Sequence, residues 1–288
     1  MAEAKVRGIT LYYEVIGNSG PWIALTPGSR RASDELLPLS AMLARHGYRV
    51  LLHDRRNCGR SDVCIEARGS EHEVWADDLN ELCGELGAVP IYAGGSSAGA
   101  RLALLFALRH PSAVKGLLLW RVTGGQHAAQ KLAHQYYGAY AELAKTGGMA
   151  AVCASQHFAD CIKARPSNRE RLMAMSPDDF IAVMDIWRKN FLAAADLPVV
   201  GATEAQLRGL TIPACIIAGN DQVHVPAAAR KAAALIGKSE FHDDVVEKRP
   251  DGDLLEEWDP KDWKAKEGRL AEIFSTFLKR VEHMAPSH

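Results

Sequence analysis

The sequence predicts a large α/β domain whose mostly parallel sheet carries helices on both faces. Short apolar runs that are typical of strands alternate with amphipathic helical patterns up to about residue 122. The same alternation returns after residue 209. Strands and helices that alternate in this way are typical of a parallel sheet buried on both sides. Residues 123–209 show only helical patterns and turns, so we expect a helical insertion within the α/β domain.

Each predicted strand is apolar and ends at a turn or glycine signal. Residues 6–16 show two short strands separated near Gly8. The later predicted strands are PWIALT, RVLLHD, VPIYAGG, VKGLLLWRV, TIPACIIAG and KSEFHDDVVE. Helices are predicted between them, the first beginning at a capping Ser33. The predicted organisation is therefore a core made of residues 1–122 and 210–288, with a helical lid at 123–209.

Composition narrows the classes of function. The chain has 288 residues, 48% hydrophobic and 24% charged, which is ordinary for a globular protein. Its formal net charge of −1 creates no field that would attract nucleic acid or an anionic membrane surface. We therefore expect a small-molecule substrate, with neither nucleic acid nor membrane as a partner. The oligomeric state stays open, with a homodimer among the alternatives.

Targeting and metal-binding signals are weak in this sequence. MAEAKVRGITLYYEV lacks the apolar segment of a signal peptide, so we expect a cytoplasmic protein. The six cysteines include no Cys-x-x-Cys pair, which argues against a disulfide framework. The eleven histidines have no zinc-like spacing. We expect no metal and no cofactor.

The segment GGSSAGARLALLFALRHP carries the strongest chemical signal. Gly95-Ser96-Ser97-Ala98-Gly99 fits Gly-x-Ser-x-Gly, in which a strand turns sharply into a helix and exposes the central serine. The pattern stands between a predicted strand and a predicted helix, as the motif requires. A serine that merely caps the helix is the alternative, but a cap would not need a glycine on each side.

With this motif the chain resembles the α/β-hydrolase superfamily over nearly its whole length. HDRRNCGRSD is similar to a second motif of that family at Asp54, Arg56, Gly59 and Ser61, with Asn57 in place of a glycine. TPGSRR stands where the family has its oxyanion loop, with Pro27 in place of histidine. The resemblance implies an eight-stranded sheet and a helical lid after strand 6.

The resemblance also implies a catalytic machinery. Ser97 would be the nucleophile, with an oxyanion hole formed by backbone N–H groups of Ala98 and of Gly28 or Ser29. IAGNDQVHVP is similar to the segment after strand 7 that carries the catalytic acid, which points to Asp221.

The position of the family's catalytic histidine is the main departure. EKRPDGDLLEEWDP follows the last predicted strand and contains no histidine; Asp253 follows Gly252 there. His224 lies three residues after Asp221 and is our first choice for the base. Either Asp221 or Asp253 could then orient it. His242 and His53 are the alternatives, and a chain without a catalytic histidine is another.

Candidate substrate contacts follow from position at the predicted crevice. Arg30 and Arg31 follow the oxyanion glycine, Arg56 follows the fourth strand, and a guanidinium there could pair with a carboxylate. Trp120 ends the sixth strand, and Trp187 lies in the insertion. The alternative is that the arginines pair with nearby acids and the aromatic side chains form the core of the lid.

Two hypotheses of function follow. In the first, the chain is a serine-dependent hydrolase, esterase- or lactonase-like, that cleaves an ester, a lactone or an activated C–C bond of a small substrate. In the second, the same scaffold lacks a working triad. It then binds a small molecule or performs cofactor-free lyase chemistry.

Overall fold

The computed structural model describes residues 2–67, 69–250, 252–257 and 260–284. Its sheet has eight strands in the order β1-β2-β4-β3-β5-β6-β7-β8. The first two strand pairs, β1 with β2 and β2 with β4, are antiparallel, and every other pair is parallel. The strands are β1 Ala2–Val6, β2 Ile9–Ile16, β3 Trp22–Thr26, β4 Arg49–His53, β5 Ile91–Ser96, β6 Val114–Trp120, β7 Ala214–Ile217 and β8 Ser239–His242. The α/β class and the mostly parallel, eight-stranded sheet are confirmed.

Helices follow most of the parallel strands. A 3₁₀ turn at Ser33–Leu36 leads into the first of them. The helices are α1 Leu37–Arg45, α2 Glu71–Glu85, α3 Ala98–Arg109, α4 Gln126–Ala133, α5 Ala139–Ala154, α6 Gln156–Ala164, α7 Ser167–Met173, α8 Pro177–Leu192, α9 Glu204–Arg208, α10 Pro226–Leu235, α11 Pro260–Lys264 and α12 Glu267–Met284. A π-helical turn at His134–Gly138 joins α4 to α5. In the described ranges, none of these helices is both long and apolar enough to cross a bilayer.

The sheet separates two apolar cores. On one face, helices α2, α3 and α10 pack against the strands through buried side chains such as Leu79, Phe106 and Leu235. On the other face, α1 and α12 contribute Leu43 and Phe274 among others. Strand β5 is buried along its whole length, as expected for a central strand covered on both faces.

Helices α4 to α9 lie between β6 and β7 in the chain. The buried side chains of α4 to α8, including Phe158, Phe180 and Trp187, form a third core together with Val63 and Val223 from the sheet domain, whereas Leu207 of α9 belongs to the first core. The segment is therefore packed around its own apolar centre and also contacts the loops at the carboxyl edge of the sheet.

The connection from β5 to α3 allows no side chain at Gly99. A β-carbon built on Gly99 would lie 2.0 Å from the carbonyl oxygen of Thr26, far inside van der Waals contact. Helix α3 can therefore approach β3 this closely only with glycine at this position, which explains one of the two glycines of the Gly-x-Ser-x-Gly motif.

We expect Gly99→Ala to lower the free energy of unfolding by about 1–3 kcal/mol, because the backbone must shift to admit the methyl group. Gly84→Ala is the matched control: Gly84 lies in helix α2 and a β-carbon there would meet no atom within 4 Å. Alanine should stabilise that helix by up to about 1 kcal/mol. Urea denaturation of both variants measures the difference, and equal effects would contradict the close approach.

Candidate active site

Ser97 lies on a strained turn between β5 and α3. Its backbone has φ 54° and ψ −110°, a conformation that non-glycine residues adopt rarely and mostly where function requires it. The N–H of Ser97 donates to the carbonyl of Trp120 at 3.1 Å, and its own carbonyl accepts from the N–H of Arg101 at 3.0 Å. These bonds tie the turn to β6 and to the first turn of α3.

A hydrogen-bonded chain of three side chains runs from Ser97 to the loop after β7. The Oγ of Ser97 lies 2.9 Å from Nε2 of His224. On the opposite side of the ring, Nδ1 lies 2.9 Å from Oδ1 and 2.8 Å from Oδ2 of Asp221. All three residues are buried. The structure thus brings the predicted nucleophile, base and acid together.

The protons in this chain can be assigned from the network. An ionised carboxylate can only accept, so Nδ1 of His224 carries the proton and Nε2 accepts from the Ser97 hydroxyl. Burial would raise the pKa of Asp221, but the hydrogen bond and the charge attraction to His224, together with Arg121, lower this pKa below its ordinary value. Asp221 is therefore ionised at neutral pH.

His224 is held in place by its own short loop. Oδ1 of Asp221 accepts the backbone N–H groups of Val223 at 2.9 Å and His224 at 2.8 Å, forming a turn closed by the aspartate side chain. A β-carbon on Gly219 would lie 2.6 Å from Cβ of His224, so only glycine at the end of β7 leaves room for the histidine. The acid and the base are thus positioned by one segment of six residues.

A small cavity of about 80 Å³ opens at the Ser97 hydroxyl. Its wall comes from the loops after β3, β6, β7 and β8, from the turn at Ser97 and from the helical segment between β6 and β7; the residues are Gly28, Ser29, Arg31, Ser97, Arg121, Leu132, Gln135, Tyr136, Val223, His224 and Glu257. Several of them, among them Arg121, Gln135 and Glu257, were not in our set of predicted site residues. Leu132, Gln135 and Tyr136 reach the cavity from the helical segment after β6.

The residues predicted for the oxyanion hole lie beside the serine. A β-carbon on Gly28 would be 3.4 Å from Cβ of Ser97, and Ser29, which has a φ of 47°, lines the cavity. Ala98 is the first residue of α3, so its N–H has no partner inside the helix. The geometry therefore places Ala98, Gly28 and Ser29 where backbone donors could meet an oxyanion.

Arg121 is the charged residue beside His224 and Asp221 that the sequence analysis did not identify. It follows β6 directly, has a φ of 54°, and its Nη2 lies 3.7 Å from Oδ2 of Asp221 and 3.4 Å from Nδ1 of His224. Its position at the carboxyl end of a central strand was the available signal, because active-site residues of such sheets gather at that edge. The guanidinium favours the charged carboxylate and disfavours a charged imidazole.

The remaining predicted contacts lie elsewhere. Arg30 donates to Oε2 of Glu71 at 2.7 Å and stacks on tyrosines of the segment after β6, and it does not line the Ser97 cavity. Trp120 packs on Phe274 on the far side of the sheet. Trp187 is buried in the core of the helical segment. Arg30 and Arg56, which pairs with Asp78, thus follow the ion-pair alternative and not the substrate-contact hypothesis.

The other candidates for the base and the acid do not reach the serine. His53 is buried at the end of β4, and neither of its ring nitrogens has a hydrogen-bond partner in the part of the chain that the structure describes. Nε2 of His242 lies 2.6 Å from Oε1 of Glu240 on β8. Asp253 is exposed and lies 3.6 Å from Arg249. His224 and Asp221 alone of these candidates make the contacts that a triad requires.

Burial and, to a smaller extent, the cation of Arg121 lower the pKa of His224, the hydrogen bond to Asp221 opposes both effects, and the net pKa is about 4. A general base must be neutral, so we expect kcat/KM to be lost as pH falls through about 4, whereas an ordinary histidine would give this limb near 6.5. Arg121→Met should move the acid limb to higher pH, because it removes a positive charge next to the ring.

Steady-state rates with an activated ester between about pH 3.5 and 8 test this expectation. Arg109→Met is the matched control: Arg109 is exposed, pairs with Asp77 and should leave the profile unchanged. Circular dichroism at each pH separates loss of fold from loss of activity. A wild-type acid limb near 6.5 would contradict the inferred environment of His224.

A sheet of this strand order, a strained serine between β5 and α3, and a histidine–carboxylate pair after β7 define the class of the protein. The family model described as "alpha/beta hydrolase fold" matches residues 27–120, from the oxyanion loop to the end of β6. The chain therefore has the α/β-hydrolase fold, and the family match covers residues 27–120 of it.

Individual relatives are distant. The uncharacterized hydrolase YraK of Bacillus subtilis (strain 168) is 34% identical over 110 residues, which are 38% of this chain and 40% of YraK. A proline iminopeptidase of Lactobacillus delbrueckii subsp. bulgaricus is 23% identical over 76% of this chain and 81% of its own. The crystal structure of an enol-lactonase from Burkholderia xenovorans LB400 superposes with a TM-score of 0.63 at 21% identity, covering 96% of this chain and all of that one.

Proposed function

We propose that this protein is a serine-dependent hydrolase that cleaves an ester, a lactone or an activated C–C bond of a small organic substrate. One observation carries the proposal: the Ser97 hydroxyl is hydrogen-bonded to a buried histidine that is itself hydrogen-bonded to a buried carboxylate. A neutral hydroxyl is a weak nucleophile, and an adjacent base oriented by an acid is the usual device that activates it. The family model and the named hydrolases among the relatives support a hydrolytic reaction.

The first half of the reaction forms an acyl-enzyme. Oγ of Ser97 attacks the substrate carbonyl carbon while its proton passes to Nε2 of His224. Asp221 stabilises the imidazolium that forms. The oxygen of the tetrahedral intermediate takes the negative charge, next to the backbone donors of Ala98 and the Gly28–Ser29 loop. When the intermediate collapses, the bond to the leaving group breaks and the proton on Nε2 is transferred to that group.

The second half returns the free enzyme. A water molecule gives a proton to Nε2 of His224 and attacks the acyl carbon. The second tetrahedral intermediate then expels Oγ of Ser97, which recovers the proton from His224. The net result is addition of one water molecule across the cleaved bond, so the scheme needs no electron donor or acceptor.

Helices α4 to α9 act as a lid over this chemistry in the proposal. Support comes from Leu132, Gln135 and Tyr136, which line the cavity from this segment. A cavity of about 80 Å³ holds only a small group, so a substrate of larger size requires the lid to move. The predicted lid boundaries at 123 and 209 enclose all of these helices.

A fluorophosphonate probe tests the proposal, because it phosphonylates a serine only when that serine is activated. We expect stoichiometric labelling, with the mass shift on the peptide that contains Ser97, and no labelling of Ser97→Ala. Ser96→Ala is the matched control: the adjacent serine makes no contact with His224 in the described structure, so this variant should still be labelled. A folded wild-type chain that takes no label would overturn the proposal and favour non-hydrolytic binding or lyase chemistry.

A further inference from the structure

A second cavity, which we call the Arg101 cavity, lies between helices α2, α3 and α8. It has a volume of about 280 Å³ and opens to solvent. Its lining and that of the Ser97 cavity have no residue in common. The floor carries Arg101 and His72, and Tyr137, Trp187 and Phe191 form an aromatic wall. Ligand pockets for drug-sized molecules start near 300 Å³, so this cavity suits a small one.

Arg101 is a buried cation that lacks an acidic partner. Only 6% of its surface is exposed, and no carboxylate lies within salt-bridge distance of it in the described ranges. Burial lowers the pKa of Arg101 to about 10, so the guanidinium is still charged at neutral pH. Removing a charge from water costs several kcal/mol unless an opposite charge compensates it. Among the other buried arginines of the described ranges, Arg30 and Arg56 each have such a carboxylate, whereas Arg55 is paired with a backbone carbonyl and the Trp75 ring and does not line this cavity.

The bonds that Arg101 does make leave part of its donor capacity free. Nε donates to the carbonyl of Val200 at 3.1 Å, Nη1 lies 3.2 Å from Nε2 of His72, and the guanidinium stacks on the ring of Phe191 at 4.3 Å. A guanidinium has five N–H donors. Nη2 makes no hydrogen bond within the described residues. Nη2 is not one of the fully buried side-chain atoms that lack a hydrogen-bond partner, so it retains solvent-accessible surface.

Trp187 contributes to the wall of this cavity with its aromatic ring. The side chain is 2% exposed, and its Nε1 is itself buried, so the ring and not the N–H is the part available to a ligand. His72 adds no positive charge, because burial and the neighbouring arginine lower its pKa well below the ordinary value. The cavity thus holds one cation beside an apolar wall.

We propose that the Arg101 cavity binds a small organic carboxylate, whose anionic group pairs with the Arg101 guanidinium while its apolar part packs on Tyr137, Trp187 and Phe191. A guanidinium matches the planar geometry of a carboxylate with two parallel hydrogen bonds. Glu73 lines the same cavity and repels a dianion such as phosphate, which favours a monoanion. This site is separate from the proposed hydrolytic centre and does not depend on it.

Benzoate is the probe, with benzamide as its neutral counterpart. Indole ¹H–¹⁵N spectra of the full chain follow binding, because the chain has six tryptophans and Trp187→Phe assigns the signal of Trp187. We expect the Trp187 indole signal to shift saturably with benzoate at a Kd between about 0.1 and 10 mM at constant ionic strength. Benzamide should produce no comparable shift. No saturation by roughly 50 mM benzoate would overturn the proposal.

Two variants test the role of the charge. Arg101→Met should weaken benzoate binding at least about tenfold and keep the fold, because a buried ion exchanged for an apolar side chain is often neutral for stability. Arg269→Met removes an exposed arginine of α12 that pairs with Glu272 and does not line the cavity, so this variant should bind as the wild type does. Binding that survives Arg101→Met would place the benzoate elsewhere and overturn the proposal.

A variant at the mouth of the cavity keeps the test valid if Arg101→Met fails to fold. Asn190 is exposed on α8 and lines the cavity, so Asn190→Glu adds a negative charge without disturbing the core. We expect benzoate affinity to fall about fivefold or more in Asn190→Glu and to stay unchanged in Asn190→Gln. Equal affinity in both variants would contradict the assigned cavity.

Discussion

Replacing His224 by alanine is expected to lower kcat/KM for p-nitrophenyl acetate by about 10²–10⁴-fold, the usual contribution of a general base. The reason is geometric: in the part of the chain that the structure describes, Nε2 of His224 is the ring nitrogen within hydrogen-bond distance of the Ser97 hydroxyl. Stopped-flow or steady-state release of p-nitrophenolate measures the loss. The size of the effect decides whether an imidazole from the β7 loop performs the proton transfer.

His242→Ala is the control for this prediction. His242 lies in β8, pairs with Glu240, and was the alternative base on sequence grounds. Its loss should change kcat/KM by less than about twofold. Thermal unfolding of both variants identifies any loss that comes from misfolding. A His224→Ala protein that is folded and within twofold of the wild type would exclude His224 as the base.

Replacing Asp221 by asparagine is expected to lower kcat by up to about 10⁴-fold while preserving the shape of the site. An amide can offer its N–H₂ group to Nδ1, which moves the ring proton to Nε2, so that the imidazole can no longer accept from Ser97. The same substitution also removes the charge that stabilises the imidazolium. Activity measured with the same ester, alongside fluorophosphonate labelling, reports both effects.

Asp253→Asn is the matched change at the position where the family usually has its histidine. Asp253 is exposed and paired with Arg249, so we expect activity within twofold of the wild type. A large loss of activity in Asp253→Asn together with a small loss in Asp221→Asn would mean that Asp253, and not Asp221, is the catalytic acid.

Much of this site could be predicted because the residues that indicate it lie close together in the sequence. The glycines around Ser97 mark a close helix–strand approach, and the structure shows the clash that any side chain at Gly99 would cause. His224 follows Asp221 by three residues, a spacing short enough for one turn to bring both side chains together. No histidine follows β8 where the resemblance predicts the base, so the histidine of the β7 loop was the first alternative.

The unpredicted part depends on contacts between residues distant in the chain. Arg30 follows Gly28 by two residues, but its side chain is oriented by Glu71 on α2 and by tyrosines of the segment after β6. Trp120 and Arg121 are adjacent, but Trp120 is the last residue of β6, whereas the backbone of Arg121 has left the strand with a φ of 54°. Trp120 packs in the core under α12, and Arg121 lies beside Asp221 and His224. Sequence alone did not specify which of the two faced the crevice.

The segment from Gly219 to His224 has a consequence for how this enzyme class can diversify. The proposed base, His224, and the carboxylate that orients it, Asp221, lie in one tight turn. Their relative position is therefore set within this turn and is little affected by sequence changes elsewhere in the scaffold. In the proposed mechanism the final strand β8 then supplies no group to the chemical step. The stretch after it still supports the turn, because the carbonyl of Leu255 accepts from the N–H of Gln222 at 2.8 Å, so changes that keep this contact can accumulate there without loss of turnover.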